Sequence, residues 1–548
     1  MGGGLSPRTL VFSAEGSRRK PYELFAAKEI APAASYSRPK RVVQTEPSSS
    51  LSATAPAPPT PPVAVGRLPT LATGHLPGVR PAALTQGETW TYLGVLGALV
   101  IANVPLLGAE AWRFRPPSVE PVGPLAPLVR MANGDWDPAL LRSAALVAGF
   151  VLALYAIFAL GPTARRRLPL ILLTSTVLAL LVLPSVLLQA GLREATAPWF
   201  FTNDSTYQIE LAGDVVASGE TPYGHDYSAS GLERFYSLKG NSRGSPVATE
   251  HFAYFPGTAL AAAAWNALPS PWDDFRFLVA LATIGSFFAV LLFRAPLLWR
   301  LALGAVLVAN PLTIRAEWFG NADALGLLLL VLAFAFVTRE RYLTAAVLLA
   351  GAVLCKQFAL VALPFLAVLV LLRAGRRTAG RAAAVFALVA ALGIAPFVLA
   401  DPGAFWADTV TYGVDTYRIV GYGLAALLVR AGLIEGRADA YPFFLLALTV
   451  WLPATLVLLR AQVRSRDAWL GGAGFAVSIF VLIFIGRVFH PSYLLWPLAG
   501  IVLASLLAAR PPAVALPAPL PARAGIRALA RGARRRSARR GAEGRPER

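Results

Sequence analysis

The chain has almost none of the residues from which disulfide frameworks and zinc sites are built. It contains a single cysteine, Cys355, in 548 residues, so the chain can form no internal disulfide, and we interpret Cys355 as a packed thiol. Four histidines and one cysteine do not make a zinc-ligand cluster. A Walker loop, a Rossmann glycine pattern and a Ser-His-Asp order are absent too, so the sequence indicates no nucleotide-driven step.

Charge is also scarce, and hydrophobic side chains take its place. Only 15% of the residues are charged, 56% are hydrophobic, and the mean hydropathy is +0.57. A soluble domain has too little interior to hide so many apolar side chains, and apolar runs of about eighteen residues or more recur along the chain. The sequence therefore predicts an all-α polytopic membrane protein.

The net charge of +20 is concentrated at the two ends of the chain. Residues 1–88 carry ten Lys/Arg against five acids, and residues 510–548 carry eleven against two, so the tails hold +14 of the total. Both tails are predicted to be disordered, because they cannot bury enough apolar surface to fold. In a membrane protein such tails are typical of the cytoplasmic side, so we expect contact with membrane lipids and no nucleic-acid partner.

Hydropathy predicts about twelve transmembrane helices between the tails, and five short basic loops orient them. The predicted helices are 91–110, 138–161, 168–190, 276–293, 299–316, 319–338, 342–355, 357–373, 380–400, 441–460, 468–486 and 490–509. The basic loops contain Arg165 to Arg167, Arg294 with Arg300, Arg339 with Arg341, Arg373 to Arg381, and Arg460 to Arg466. With both termini in the cytoplasm, all five basic loops lie inside, as the positive-inside rule requires.

This orientation holds only if residues 253–268 do not cross the membrane. The run has about sixteen residues, fewer than the roughly twenty that a span needs, so we predict a helix at the outer interface. Two large outer loops then remain. We call 191–275 the first large loop and 401–440 the second large loop.

An acidic and aromatic stretch, FFTNDSTYQIELAGDVVASGETPY, lies in the first large loop. Ser205 and Gln208 form a capping-box pattern, which predicts a helix that begins there and ends before Gly219. Asp204 then lies at the mouth of this helix. It either caps the helix or serves as a general base, and spacing alone leaves both interpretations open.

Basic and acidic residues near the predicted outer membrane surface are the other candidates for chemistry. Lys356 interrupts an apolar run between two short predicted helices, where an ionisable residue is costly, so it either belongs to a functional site or extends its ammonium group to the membrane surface. The predicted outer turn NPLTIRAEWFGNAD supplies Arg315, Asn321 and Asp323, although Arg315 is equally compatible with a surface pair. GRVFHPSYLLW supplies Arg487 and His490, and His490 before a proline is also compatible with a structural role.

From about 168 to 509 the chain resembles the GT-C membrane glycosyltransferases, above all the polyprenyl-phosphate-mannose-dependent α-mannosyltransferases of glycosyltransferase family 87. The resemblance rests on NDSTYQIELAGDVVASGETPY, FAYFPGTAL, NPLTIRAEWFGNADAL, RERYLTAAVLLAGAVLCKQFAL and FHPSYLLWPL, in this order. Two features depart from the family: two predicted helices within 89–167 precede the catalytic domain, and the turn reads GNAD where many relatives have Gly-Gln.

The resemblance implies a fold, a reaction and a site. It implies a GT-C-like catalytic domain over 168–509 that transfers a hexose, mannose above all, from a polyprenyl phosphate to a glycan or glycolipid acceptor on the outer face of the cell membrane. Asp204 would be the base of one inverting displacement, without cofactor or obligatory metal. The implied substrate-binding residues are Tyr207, Asp214, Tyr223, Tyr254, Arg315, Asn321, Asp323, Lys356, Arg487 and His490.

Three other functions are compatible with parts of the sequence. A polymerase of lipid-linked glycans would share the polar outer loops but would use more outer arginines than this chain offers. A transporter would show internal repeats and polar residues at the membrane midplane in both halves. A pure assembly protein would have no reason to bury Lys356. Convergence of Asp204, Lys356 and Arg487 is the observation that discriminates among these.

Overall fold

The computed structural model describes residues 86–103, 120–131, 147, 151, 167–194, 196, 198, 202–235 and 249–509. Over this part the protein is mostly α-helical, as predicted. The predicted tails, apart from the first residues of the helix that begins at Gln86, and nearly all of the predicted 138–161 helix lie outside the described residues.

The α-helices of this part are numbered in chain order. They are α1 (Gln86–Ala102), α2 (Ala126–Met131), α3 (Arg167–Glu194), α4 (Asp204–Ala217), α5 (Pro256–Trp265), α6 (Phe275–Leu291), α7 (Leu297–Ala309), α8 (Pro311–Phe319), α9 (Asp323–Thr338), α10 (Tyr342–Cys355), α11 (Leu363–Ala400), α12 (Pro402–Trp406), α13 (Leu424–Arg430), α14 (Phe443–Leu446), α15 (Leu452–Ser465), α16 (Trp469–Ile485) and α17 (Leu495–Ala508). Short 3₁₀-helices cover Ser228–Ser230, Leu232–Phe235, Gln357–Ala362 and Pro491–Leu494, and π-helices cover Ala407–Thr416 and Ala447–Trp451.

Within the described ranges, five helical segments are long and apolar enough to cross a membrane by length and composition. They are Leu170–Glu194, Leu297–Arg315, Gln357–Ala400, Phe443–Ser465 and Pro491–Ala508. Four shorter apolar helices of 10–17 residues accompany them: Phe275–Leu291, Asp323–Thr338, Tyr342–Cys355 and Trp469–Ile485. This composition is compatible with a membrane protein.

Several helix boundaries differ from those predicted, and two of the differences are breaks in the helical backbone. The predicted 299–316 helix is divided at Asn310, whose backbone is extended (φ −72°, ψ 151°), because Pro311 follows and cannot donate a helical hydrogen bond. The predicted helices 357–373 and 380–400 are a 3₁₀ turn followed by one long segment, α11. Gly375 interrupts this segment with φ 77°, which only glycine adopts without strain, so the predicted loop is a kink.

The region 253–268 forms only a ten-residue helix, α5. At 1.5 Å per residue it is about 15 Å long, half of the roughly 30 Å hydrocarbon layer. Its side lies against α4, because a Cβ built on Gly213 would come within 2.7 Å of the Ala262 Cβ. Glycine at this position therefore permits the close packing that places α4 beside α5.

A cluster of buried charges lies between α3, α4 and α6. Arg193 Nη1 donates to Glu210 Oε1 at 2.8 Å and to Asp274 Oδ2 at 3.1 Å, and a second contact joins the Arg193 and Glu210 side chains. Arg276 Nε donates to Asp274 Oδ1 at 2.8 Å. Although burial opposes ionisation, Arg276 and Arg193 hold the pKa of the Asp274 carboxyl well below its usual range. The cluster fixes α4, and thus Asp204, against α3 and α6.

Replacing Arg193 by alanine is expected to lower the free energy of unfolding by about 3–5 kcal/mol, because Glu210 would remain buried without this cation. The matched control is Arg130→Ala, since the Arg130–Glu120 pair is exposed and 3.8 Å apart. Loss of the exposed pair should lower the free energy of unfolding by no more than about 1 kcal/mol. The two effects are compared by thermal unfolding of the detergent-solubilised variants. Equal shifts in Tm would contradict a structural role for the cluster.

Candidate functional site

Asp204 is the first residue of α4, and it is not the residue that caps the helix. Asn203 is the N-cap: its Oδ1 accepts hydrogen bonds from the Thr206 N–H and the Ser205 hydroxyl, both at 2.8 Å. The predicted Ser205–Gln208 capping box is therefore wrong, and Gln208 instead donates to the His251 carbonyl at 2.8 Å. Helix α4 ends at Ala217, as predicted.

The Asp204 carboxylate makes few contacts of its own. Its Oδ1 accepts only the neighbouring Ser205 N–H, at 2.9 Å, and it has no ion pair with any residue in the described ranges. The side chain is half-buried at the positive end of the α4 dipole. Asp204 is thus an ionisable group held in place but left available for a further partner.

Four tyrosines from three different parts of the chain lie within electrostatic range of Asp204. They are Tyr254 before α5, Tyr412 and Tyr417 in the second large loop, and Tyr493 before α17. Burial and then the Asp204 charge raise the pKa of Tyr417 to about 12. Burial also raises the pKa of Tyr412 and of Tyr254 above the usual value. The phenols therefore stay protonated at neutral pH and can serve as hydrogen-bond donors.

Lys356 lies in a cage of aromatic rings that includes Tyr254. Its Nζ is 4.7 Å from the Tyr254 ring centroid and 5.4 Å from those of Phe358 and Tyr493. It is also 2.8 Å from Asp323 Oδ1. Lys356 is only 7% exposed, and Asp323 is 1% exposed. The expected buried cation is present, but its charge is balanced by a buried carboxylate.

The backbone conformation of Lys356 explains why its side chain reaches the site. Helix α10 ends at Cys355, and Lys356 is extended (φ −154°, ψ 122°) before the following 3₁₀ turn. The two short helices predicted around Lys356 thus meet at this residue. The ammonium group lies in ion-pair contact with Asp323, and no other carboxylate in the described ranges forms an ion pair with it.

Asn321 and Asp323 lie together at the beginning of α9. The Asn321 Oδ1 accepts the Asp323 N–H at 3.0 Å, so the amide fixes the first turn of the helix. Both residues line a small cavity of about 30 Å³ whose other walls include Thr283, Ser286 and Thr313. A cavity of this size has room for one or two water molecules, so it is too small to admit a sugar.

The other predicted cations do not gather around Lys356. Arg487 is 2% exposed, and its Nε donates to the Tyr417 carbonyl at 2.8 Å. It therefore supports the backbone of the second large loop. His490 is exposed and caps the next turn through Ser492. Arg315 is exposed on α8.

Three further predicted residues have structural partners. Tyr207 and Tyr223 are buried, and their hydroxyls donate to the carbonyls of Ser230 and Tyr254 at 2.8 and 2.9 Å. Their ring faces are therefore not presented to a ligand. Asp214 is exposed and accepts from Asn266 at 2.8 Å. It lies ten residues further along α4 than Asp204, about 15 Å away along the helix axis.

Two tyrosines of the second large loop, Tyr412 and Tyr417, lie within electrostatic range of Asp204 but were not among the predicted site residues. Tyr412 and Tyr417 occur in the stretch TYGVDTYRIV, whose closely spaced tyrosines beside a charged residue were a usable signal. Their approach to Asp204 is a long-range contact, which local pattern does not reveal. Arg418, half-buried in the same stretch, is the cation next to Tyr417.

The arrangement offers a carboxylate base, tyrosine hydroxyls and one buried ammonium group in a single region. Among the described residues, no group of three or more His, Cys, Asp or Glu side chains has a geometry that could hold a metal ion. Carboxylate, phenol and ammonium groups together suit a reaction in which a hydroxyl loses its proton while an anion develops nearby.

Comparison with known proteins adds no neighbour to these observations. No protein-family model, no curated protein and no solved structure matches the chain.

Proposed function

We propose that the protein is a polytopic membrane glycosyltransferase of the GT-C type, which transfers a hexose from a polyprenyl phosphate to a glycan or glycolipid acceptor. The observation that supports this best is the position of Asp204. A half-buried carboxylate without an ion-pair partner in the described ranges lies within electrostatic range of four tyrosines, and the ring of one of them, Tyr254, also contacts the Lys356 ammonium group. This is the combination of groups that transfer from a lipid phosphate requires.

In the proposed reaction Asp204 is the general base. It accepts the proton of an acceptor hydroxyl, whose oxygen attacks the anomeric carbon of the lipid-linked sugar. The bond from this carbon to the phosphate oxygen breaks, and polyprenyl phosphate leaves with the electron pair. A single displacement inverts the anomeric configuration. Tyr417, which is half-buried and within electrostatic range of Asp204, is the proposed hydrogen-bond donor to the sugar.

Lys356 is the proposed partner of the leaving phosphate. Its ammonium group forms an ion pair with Asp323 and packs on the ring of Tyr254, which is itself within electrostatic range of Asp204. A buried ammonium stabilises a developing phosphate charge more strongly than an exposed one, because water screens it less. The exposed Arg315 is the second cation that we assign to the leaving phosphate. Arg487 is not assigned to the phosphate, because it supports the second large loop.

The proposed topology places both termini in the cytoplasm and the first large loop outside. All five basic loops then lie inside. We expect a cysteine introduced at Ser230 in a Cys355→Ser background to react with an impermeant thiol reagent from the outside, and one at Ser537 only after permeabilisation. Reaction of both positions from the same side would refute the proposed topology.

The proposed activity is tested by supplying membranes that contain the protein with individual labelled polyprenyl-phosphate sugars. We expect transfer of label from one of them, most readily mannose, to an endogenous acceptor, and no transfer in membranes that carry Asp204→Asn. Use of a lipid diphosphate donor would favour a glycan polymerase. Movement of the lipid-linked sugar across the membrane without a new glycosidic bond would favour a transporter.

A further inference from the structure

Asp408, in the second large loop, is bonded almost entirely to the first large loop. Its Oδ2 accepts the backbone N–H groups of Gly224 at 2.9 Å and of Phe252 at 3.1 Å. Its Oδ1 lies 2.5 Å from the His251 Nδ1. The carboxylate is 1% exposed, so three donors from one loop surround a buried acceptor from the other.

His251 continues this connection toward Asp204. Its imidazole is stacked on Tyr412, with the ring centroids 4.8 Å apart, and Tyr412 is one of the tyrosines within range of Asp204. The His251 carbonyl accepts from Gln208, one turn after Asp204 on the same helix. His251 is thus attached to α4 through its backbone and to the second large loop through its side chain.

The backbone that carries Asp408 and Tyr412 has an unusual conformation. Residues Ala407–Thr416 form a π-helix. Such turns are rare and are frequently found at functional sites. A segment of this kind needs outside contacts to keep its shape, and Asp408 provides them.

We propose that Asp408 is a positioning residue, which acts through His251 to hold Tyr412, and with it Tyr417, in place on the side of α4 that carries Gln208 and Asp204. This inference rests on the proposed function for its effect on catalysis, but the connection between the loops stands on the hydrogen bonds themselves. Without the Asp408 carboxylate, the two amides and the imidazole of the first large loop lose their shared acceptor. The second large loop then moves away from α4.

Hydrogen–deuterium exchange of the full-length protein in nanodiscs tests the connection without any assay of activity. In Asp408→Ala we expect faster exchange in peptides containing Gly224, Phe252 and the 407–416 segment, with unchanged exchange in α9 and α16. The matched control is Asp226→Asn, an exposed carboxylate of the first large loop that accepts from Ser228. Unchanged exchange at Gly224 and Phe252 in Asp408→Ala would overturn the proposal.

Two substitutions of His251 separate a positioning role from proton transfer. The Nδ2 of His251→Asn replaces the imidazole Nδ1 and can still donate to Asp408, whereas the side chain of His251→Gln replaces the Nε2 and loses this bond. Both variants lose the ring that stacks on Tyr412, so both should lower kcat/KM: His251→Gln on the order of 10²-fold, as a misplaced site does, and His251→Asn by less, because it keeps the bond to Asp408. The opposite ranking would overturn the positioning role and assign proton transfer to Nε2.

The conservative variant Asp408→Asn provides the rescue. Its Oδ1 can accept both backbone N–H groups, and its amide can donate to a neutral His251. We therefore expect Asp408→Asn to restore both the slow exchange and the activity that Asp408→Ala loses. If Asp408→Asn were as impaired as the alanine variant in exchange, a bridging role would be wrong. If no variant or wild type transferred sugar, the exchange results alone would decide on the connection.

Discussion

Replacing Asp204 by asparagine is expected to lower the turnover number on the order of 10²–10⁴-fold, because an amide cannot accept the proton of the acceptor hydroxyl. Folding should change little. Asn203, and not Asp204, caps α4, and the Asp204 oxygen accepts only the neighbouring Ser205 N–H, which an asparagine oxygen can also accept. Binding of the donor should persist, since its phosphate is assigned to the Lys356 side of Tyr254.

The control for this variant is Asp214→Asn, which removes an exposed carboxylate from the same helix. It should leave turnover close to wild type, because Asp214 contacts only Asn266 at the distant end of α4. Turnover and thermal unfolding are measured for both variants in one detergent. Normal turnover by Asp204→Asn would remove Asp204 from the catalytic role.

Removal of the Lys356 side chain is expected to affect both stability and donor use. In Lys356→Ala the buried Asp323 loses its ion-pair partner, at a cost of about 3–5 kcal/mol in the free energy of unfolding. Loss of activity in this single variant would therefore not distinguish an unfolded protein from an impaired site. The informative variant removes both charges at once.

In the double variant Lys356→Met, Asp323→Asn, the two side chains keep roughly their volume and leave no unpaired charge, so stability should recover. Donor affinity should nevertheless fall by about 2–5 kcal/mol, because the phosphate loses a desolvated cation. Asp323→Asn alone is the matched control, since it keeps the ammonium group. A double variant that binds lipid-linked sugar as tightly as wild type would show that the pair only stabilises the fold.

The mostly helical character was predictable from sequence because apolar runs and helix breakers are local signals. The break at Lys356 follows from a polar pair, Lys356 and Gln357, within an apolar run, and the end of α4 follows from Gly219. The error at the start of α4 is also local: three residues in a row, Asn203 to Ser205, are all good N-caps, and sequence does not decide among them.

The partners of the site residues could not be predicted, because they depend on contacts between distant segments. Asp323 begins α9 and Lys356 directly follows α10, 33 residues later in the chain, and no sequence periodicity links them. Tyr207 and Tyr223 were predicted to bind sugar because of their residue type, but their hydroxyls donate hydrogen bonds to backbone carbonyls inside the first large loop. Asp408 carries no sequence signal of its importance, since only the folded loops bring three donors to it.

The most direct test of the account is a transfer reaction with the purified protein, a labelled polyprenyl-phosphate hexose and a defined acceptor, followed by determination of the anomeric configuration of the product. The account predicts a new glycosidic bond of inverted configuration, formed by wild type and, on the order of 10²–10⁴-fold more slowly, by Asp204→Asn. A product of retained configuration, or transfer that proceeds equally fast in both proteins, would contradict it.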